Sequence, residues 1–253
     1  MKSPAALLYG LYERRIAARL GQNLPHHIGV MLDGNRRWAR AVGVETAQGH
    51  QAGADKIADL LAWCEEVGVG LVTLWMLSTD NLKRDPREIE ELLQIITETT
   101  EALAASRRWR LRMVGELELL PADIADRLRR AAQATSAVEG VGINIAVGYG
   151  GRDEIAGAVR SLLKEHAKTG TSLEDLAAEI TVDHIAEHLY TKGQPDPDLV
   201  IRTSGEQRIG GFLLWQSVHT EFYFCEAYWP AFRKVDFLRA IRAYGARERR
   251  MGR

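Results

Sequence analysis

The run Asp33-Gly34-Asn35-Arg36-Arg37-Trp38 brings a carboxylate, a flexible glycine and two cations together within six residues. Gly34 lets backbone amides approach an anion, a helix starting after it offers unpaired N–H groups, and Arg37 can add a bidentate contact. That is the chemistry of a diphosphate site. Asp33 cannot bind phosphate directly, because two anions repel, but it can hold Mg2+ that bridges to phosphate oxygens; alternatively it simply caps the helix. A second cluster, Arg202-Thr203-Ser204-Gly205-Glu206-Gln207-Arg208, sets two arginines six residues apart around small residues. Either arginine could be tied to Glu206 for structure alone, but two facing another anion-binding loop point to more than one phosphate group.

Other polar groups gather in Ser78-Thr79-Asp80-Asn81, with Arg84 after it, and in Tyr149-Gly150-Gly151-Arg152. Rival chemistries are missing their residues. There is no G-x-x-x-x-G-K-[ST] for a P-loop, and Gly148-Tyr149-Gly150-Gly151 lacks the order of a dinucleotide fingerprint. No G-x-S-x-G elbow is present. His184 and His188 stand four apart without the Glu of H-E-x-x-H, so they read as surface or packing residues. The six tryptophans are dispersed and form no base-stacking stripe.

These loops need a frame, and the chain supplies one. Apolar runs rich in β-branched residues alternate with longer segments of helical period, the rhythm of a parallel sheet. Strands are expected at His27–Leu32, Leu71–Leu77, Leu111–Gly115, Ile143–Gly148, Leu199–Arg202 and Phe212–Leu214, with a possible extra one at Phe222–Phe224. Helices are expected at about 50–66, 87–106, 121–136, 152–167, 181–190 and 235–249, several opened by a first-turn proline such as Pro86 or Pro121. The expectation is a single α/β domain over 1–253, with a central, mostly parallel six-stranded sheet flanked by helices. In such sheets ligands sit outside the carboxyl ends of the strands, where the polar loops above fall.

Residues 1–24 form an amphipathic helical segment, with Leu8, Leu11, Tyr12, Ile16 and Leu20 on one side and Arg14, Arg15 and Arg19 nearby. It docks on its own domain or touches a membrane surface. Composition bounds the rest: 253 residues, 46% hydrophobic, with 33 basic against 34 acidic groups, give no overall field for a nucleic acid. Both ends are nevertheless basic, with seven Lys/Arg against two Asp/Glu in 1–40 and eight against two in 230–253. The longest strongly apolar stretch, Leu71 to Leu77, is far too short to span a bilayer. Cys64 and Cys225 lie in no close-spaced motif, which fits a reducing cytoplasm.

The segment His27 to Ala39 resembles the first motif of the cis-prenyltransferase family, the Z-isoprenyl diphosphate synthases. The likeness continues through Gly49-His50, Ser78 to Asn81, Asn144-Ile145-Ala146, Tyr149 to Arg152, Asp198 to Glu206, Phe212 to Gln216 and Trp229-Pro230, in family order. It implies a homodimeric, Mg2+-dependent enzyme that condenses isopentenyl diphosphate with an allylic diphosphate. Under the resemblance Asp33 is the essential acid and metal ligand, and Glu221 the second metal-associated carboxylate. Gly34, Asn35, Arg36, Arg37 and Trp38 line the allylic site with His50. Arg202, Arg208, Ile209 and Gly210 clamp isopentenyl diphosphate, and Ser78, Thr79, Asp80, Leu82 and Arg84 complete the pocket. Asn81 stands where the proton acceptor is commonly placed; a neutral amide is a poor base, so its expected role is to orient a water or phosphate oxygen.

Departures from the family pattern carry information. Arg36 replaces a frequent Gly, Gly210 a frequent Ser, and Thr46 an Arg of long-chain relatives. Met76, Leu77 and Leu82 stand where those relatives favour a small residue, Phe and Trp, and a bulky wall ends the product tunnel early. The chain thus looks most like short-chain Z-farnesyl diphosphate synthases primed by geranyl diphosphate. A long-chain decaprenyl or undecaprenyl diphosphate synthase and a non-catalytic partner subunit are the alternatives.

Overall fold

A computed structural model describes residues 4–247, with side chains from residue 9 onward. Six strands form one sheet: β1 (His27–Met31), β2 (Leu71–Ser78), β3 (Arg110–Val114), β4 (Gly142–Tyr149), β5 (Leu199–Arg202) and β6 (Glu221–Phe224). Their order is β3-β4-β2-β1-β5-β6, and every pairing is parallel. Every residue of β1, β4 and β5 is buried, which is why they read as unbroken apolar runs rather than alternating ones.

The helices are α1 (Pro4–Ala17), α2 (Asn35–Val42), α3 (Thr46–Val67), α4 (Pro86–Ser106), α5 (Ala122–Gln133), α6 (Gly151–Thr169), α7 (Leu173–Glu179), α8 (Val182–Ala186) and α9 (Lys234–Gly245). The larger core joins the sheet to α3, α4, α5 and α9 through side chains such as Ile57, Leu61, Leu93, Leu128 and Phe237. α1 packs on α9, inserting Ile16 into that core; Leu8 and residues 248 and 249 of the expected helices lie outside the described side chains. A smaller cluster of Met31, Val114, Ala146, Tyr149, Val200, Phe212 and Leu213 fills the opposite face.

Two expectations change. Phe212–Leu214 is a buried turn, with Gly210, Gly211 and Leu213 all at positive φ, and the sixth strand is the segment from Glu221 to Phe224. Phe212 is apolar because it stacks on Trp75, 5.2 Å between ring centroids, and not because it belongs to a ladder. The expected helix at 181–190 is shorter, and α7 precedes it.

β1 leaves the sheet between β2 and β5, where the chain's direction of travel across the sheet reverses. Loops diverge there, and a crevice opens beyond the carboxyl end of β1.

Candidate active site

That crevice is a cavity of about 550 Å3. From the β1 loop and α2 it is lined by Asp33, Gly34, Asn35, Arg36, Arg37 and Arg40. From α3 and β2 come His50, Trp75, Met76, Leu77 and Ser78; from the following turn Asp80, Asn81 and Arg84; and from the loop after β5 Arg202, Arg208 and Gly210.

Gly34 sits at φ 107, and a Cβ there would lie 2.9 Å from Tyr228 Cδ1 and 3.0 Å from Ser204 Cβ, so only glycine makes the turn without displacing its neighbours. No side chain caps the amino end of α2, which leaves N–H groups open toward the cavity. Asp33 is not the cap; it stands at the entrance to that turn with its carboxylate turned to two guanidinium groups. Arg202 Nη2 donates to Asp33 Oδ2 at 2.8 Å, and Arg37 Nη2 to Oδ1 at 3.4 Å. Partial burial raises the acid's pKa, but the bond and charge of Arg202, with the charge of Arg37, outweigh it and hold Asp33 below its ordinary range as a carboxylate. Thr203, fully buried, receives the Asp33 N–H at 3.0 Å and lies 2.7 Å from its carbonyl, which fixes the backbone beneath the acid.

All the other cavity arginines but Arg40 are tethered too. Arg37 Nη1 reaches Glu206 Oε1 at 3.2 Å, and Arg208 pairs with Glu206 Oε2 at 2.7 Å. Arg202 Nη1 donates to the Arg208 carbonyl, which bends the 202–208 loop around the guanidinium. Across the cavity, Glu88 of α4 gathers Arg84 at 3.3 Å, Arg36 at 3.6 Å and His50 Nε2 at 3.7 Å. His50 is buried with neither ring nitrogen hydrogen-bonded; burial lowers its pKa against the pull of Glu88, so it is a neutral imidazole facing the cavity.

Behind the polar cavity lies a second, apolar one of about 30 Å3, walled by Gly53, Ala54 and Ile57 of α3, Ile95 and Ile96 of α4, and Trp229. Leu32, Asn35, His50, Met76 and Leu92 line both and form the neck between them. Met76 is there because β2 bulges: Trp75 pairs with Ala146 and Leu77 with Val147, which leaves Met76 as the extra residue.

Five expected residues lie elsewhere. Glu221 opens β6 opposite Leu199, at the amino ends of the strands, whereas Asp33 follows their carboxyl ends. Three strand residues, roughly 10 Å, separate the two levels, and the Glu221 carboxylate pairs with Arg247. Within one chain Glu221 therefore does not join Asp33. Thr79 donates to Asp153 at 2.8 Å, away from the cavity. Leu82 packs on the larger core, while Trp38 and Ile209 are half-buried beside the cavity without lining it. Conversely, Trp75, Glu88, Leu92 and Thr203 belong to the site without having been singled out. Glu88 could have been found as the first-turn acid of α4, four residues after Arg84; Leu92 and Thr203 carry no such signal.

Among the described residues no three His, Cys, Asp or Glu side chains cluster into a metal cage. The donor chemistry of Asp33, an ionised and partly exposed hard oxygen beside an anion site, nevertheless fits Mg2+, which is usually held by one or two carboxylates and substrate phosphates.

Fold and site together define an α/β enzyme whose substrates carry phosphate at one end and an apolar body at the other. The chain belongs to the cis-prenyltransferase family: residues 31–252 match the family described as "Putative undecaprenyl diphosphate synthase". It is 59% identical to a (2Z,6E)-farnesyl diphosphate synthase of Thermobifida fusca, over 97% of both chains. It is 57% identical to isoprenyl transferase 1 of Streptomyces avermitilis, over 97% of this chain and 96% of that one. Among solved structures, lavandulyl diphosphate synthase from Lavandula x intermedia, in complex with dimethylallyl diphosphate, superposes with a TM-score of 0.82. That match is at 31% identity and covers 89% of this chain and 97% of the other.

Proposed function

We propose that this chain condenses isopentenyl diphosphate with geranyl diphosphate, in Z configuration, and stops at (2Z,6E)-farnesyl diphosphate. The observation that carries this reading is the adjacency of an arginine-rich cavity at Asp33 and a small apolar chamber that share the Met76 neck. The close likeness to (2Z,6E)-farnesyl diphosphate synthases over nearly whole chains supports the same product.

The allylic diphosphate sits at the open amino end of α2, with Arg36 and Arg37 beside it and its tail through the neck. The guanidinium groups of Arg202 and Arg208 receive isopentenyl diphosphate on the other side of Asp33. Asp33 would hold Mg2+, which when bound would supply positive charge against the departing diphosphate. As the allylic C–O bond breaks, the helix amides and arginines stabilise the leaving group more than the intact substrate. The terminal alkene carbon of isopentenyl diphosphate forms the new C–C bond with the electron pair of its double bond, and a proton then leaves its C2. Asn81 orients the water or phosphate oxygen that accepts that proton. His50, neutral at the neck, donates a hydrogen bond to phosphate without adding charge to the apolar side.

The working unit is proposed to be a homodimer in the cytoplasm. β6 is an edge strand with Phe224 exposed, Val218 before it is 75% exposed, and both cysteines are free and buried. No described helix is long and apolar enough to cross a membrane. Peripheral contact would use α1, where Leu11 and Tyr12 are exposed beside Arg14 and Arg15.

The test incubates the purified chain with Mg2+, labelled isopentenyl diphosphate and geranyl diphosphate. A predominant C15 product in the 2Z,6E form, abolished by EDTA, is expected. A C50–C55 polymer would contradict the short-chain reading, and no turnover would favour a non-catalytic subunit.

A further inference from the structure

We infer that Arg40 is a recognition residue for the outer phosphate of the allylic diphosphate, an assignment that rests on the reaction proposed above. Six arginines line the cavity, and five are already held by carboxylates. Arg36 and Arg84 share Glu88, Arg37 bridges Asp33 and Glu206, Arg202 holds Asp33, and Arg208 holds Glu206. The side chain of Arg40 forms no hydrogen bond or ion pair with any described residue, although it stands on the cavity wall.

Its place along α2 says which anion it meets. Arg40 follows Arg36 by one helical turn, which sets their Cβ atoms about 5–6 Å apart on the same side of the helix. An apolar tail entering the neck at Asn35, His50 and Met76 leaves its attached phosphate at the amino end of α2, beside Arg36. The second phosphate then extends outward, toward the wall that Arg40 occupies; Arg40 lines the large cavity and not the apolar one. Isopentenyl diphosphate is assigned to Arg202 and Arg208, on the other side of Asp33 from α2. A guanidinium without an internal carboxylate gives up no existing ion pair when it binds, unlike its five neighbours. The bland alternative is a cation in the last turn of α2 that offsets the helix dipole. That role acts on stability and leaves substrate affinity unmoved.

The test compares Arg40→Gln and Arg40→Lys with the parent chain, varying each substrate in turn and using inorganic diphosphate as a competitive probe. The inference expects Arg40→Gln to raise KM for geranyl diphosphate about tenfold, the worth of one charge-assisted hydrogen bond, and the inhibition constant of inorganic diphosphate by a similar factor. kcat and KM for isopentenyl diphosphate should stay within about twofold, Arg40→Lys should recover much of the loss, and Arg19→Gln, an exposed control in the turn after α1, should change nothing. Unchanged KM and inhibition constants in Arg40→Gln, or an equal rise for both substrates, would overturn the assignment. Should Arg40→Gln not fold, as read by circular dichroism, the charge-conserving Arg40→Lys must still weaken inorganic diphosphate, since it cannot present two parallel donors. A parent chain that makes no C15 product would instead overturn the underlying reaction.

Discussion

Asp33 works through what holds it. Its carboxylate stays ionised because Arg202 and Arg37 outweigh partial burial, and its backbone is pinned by a threonine on the neighbouring strand's loop. Replacing Thr203 by Val keeps the shape and removes the hydroxyl. This should cost about 1–3 kcal/mol in urea unfolding and lower kcat, because the acid is no longer fixed. A variant with parent stability and parent kcat would show that the hydroxyl is incidental. At the far end of the same strand, His27 is buried between the Pro195 carbonyl, 2.7 Å from Nδ1, and Thr73, 2.8 Å from Nε2. Burial lowers its pKa to about 4. The folded chain therefore resists the proton that the unfolded chain accepts near pH 6.5, and stability falls as pH drops from about 6.5 toward 4. The loss from this residue should be about 2–3 kcal/mol at pH 4.5, and denaturant titrations of His27→Gln should show a correspondingly flatter pH dependence.

Among the elements, the β2 bulge has the clearest consequence. By making Met76 the unpaired residue, it places that side chain in the neck between the two cavities, the position from which we propose that it limits how far an apolar tail advances. Met76→Ala should lengthen products beyond C15, each added unit bringing five carbons through the neck; an unchanged chain-length distribution by thin-layer or mass analysis would place the wall at Leu92 or deeper. The position of Met76 in the strand could be read from the chain, but the bulge could not. A bulge is a register relation between two strands, and nothing local to Trp75-Met76-Leu77 announces it. The turn at Phe212 was illegible for the converse reason: a buried turn that stacks on Trp75 and meets Tyr149 edge to face needs the same apolar residues as a short strand. Of α2 only the start after Gly34 could be read; its extent could not, since an eight-residue helix with three arginines has little apolar face to show.

At the scale of the molecule, the sheet and the ends at which chemistry gathers were written in the alternation of apolar runs and polar loops. All six strands lie on segments where the periodicity puts one, the sixth at the extra segment Phe222–Phe224 and not at Phe212–Leu214, and the Asp33 and Arg202 loops meet because β1 and β5 are neighbours. Topology also explains the one carboxylate that fails to arrive. Glu221 sits at the start of a parallel strand, and parallel pairing sends it to the opposite rim whatever its chemistry. The decisive measurement is single-turnover C–C bond formation from labelled isopentenyl diphosphate and geranyl diphosphate by Asp33→Asn, in a variant whose unfolding midpoint matches the parent. The site as described requires the rate to fall by about a thousandfold, because the charge that assists diphosphate departure is gone. Bond formation at the parent rate would contradict it.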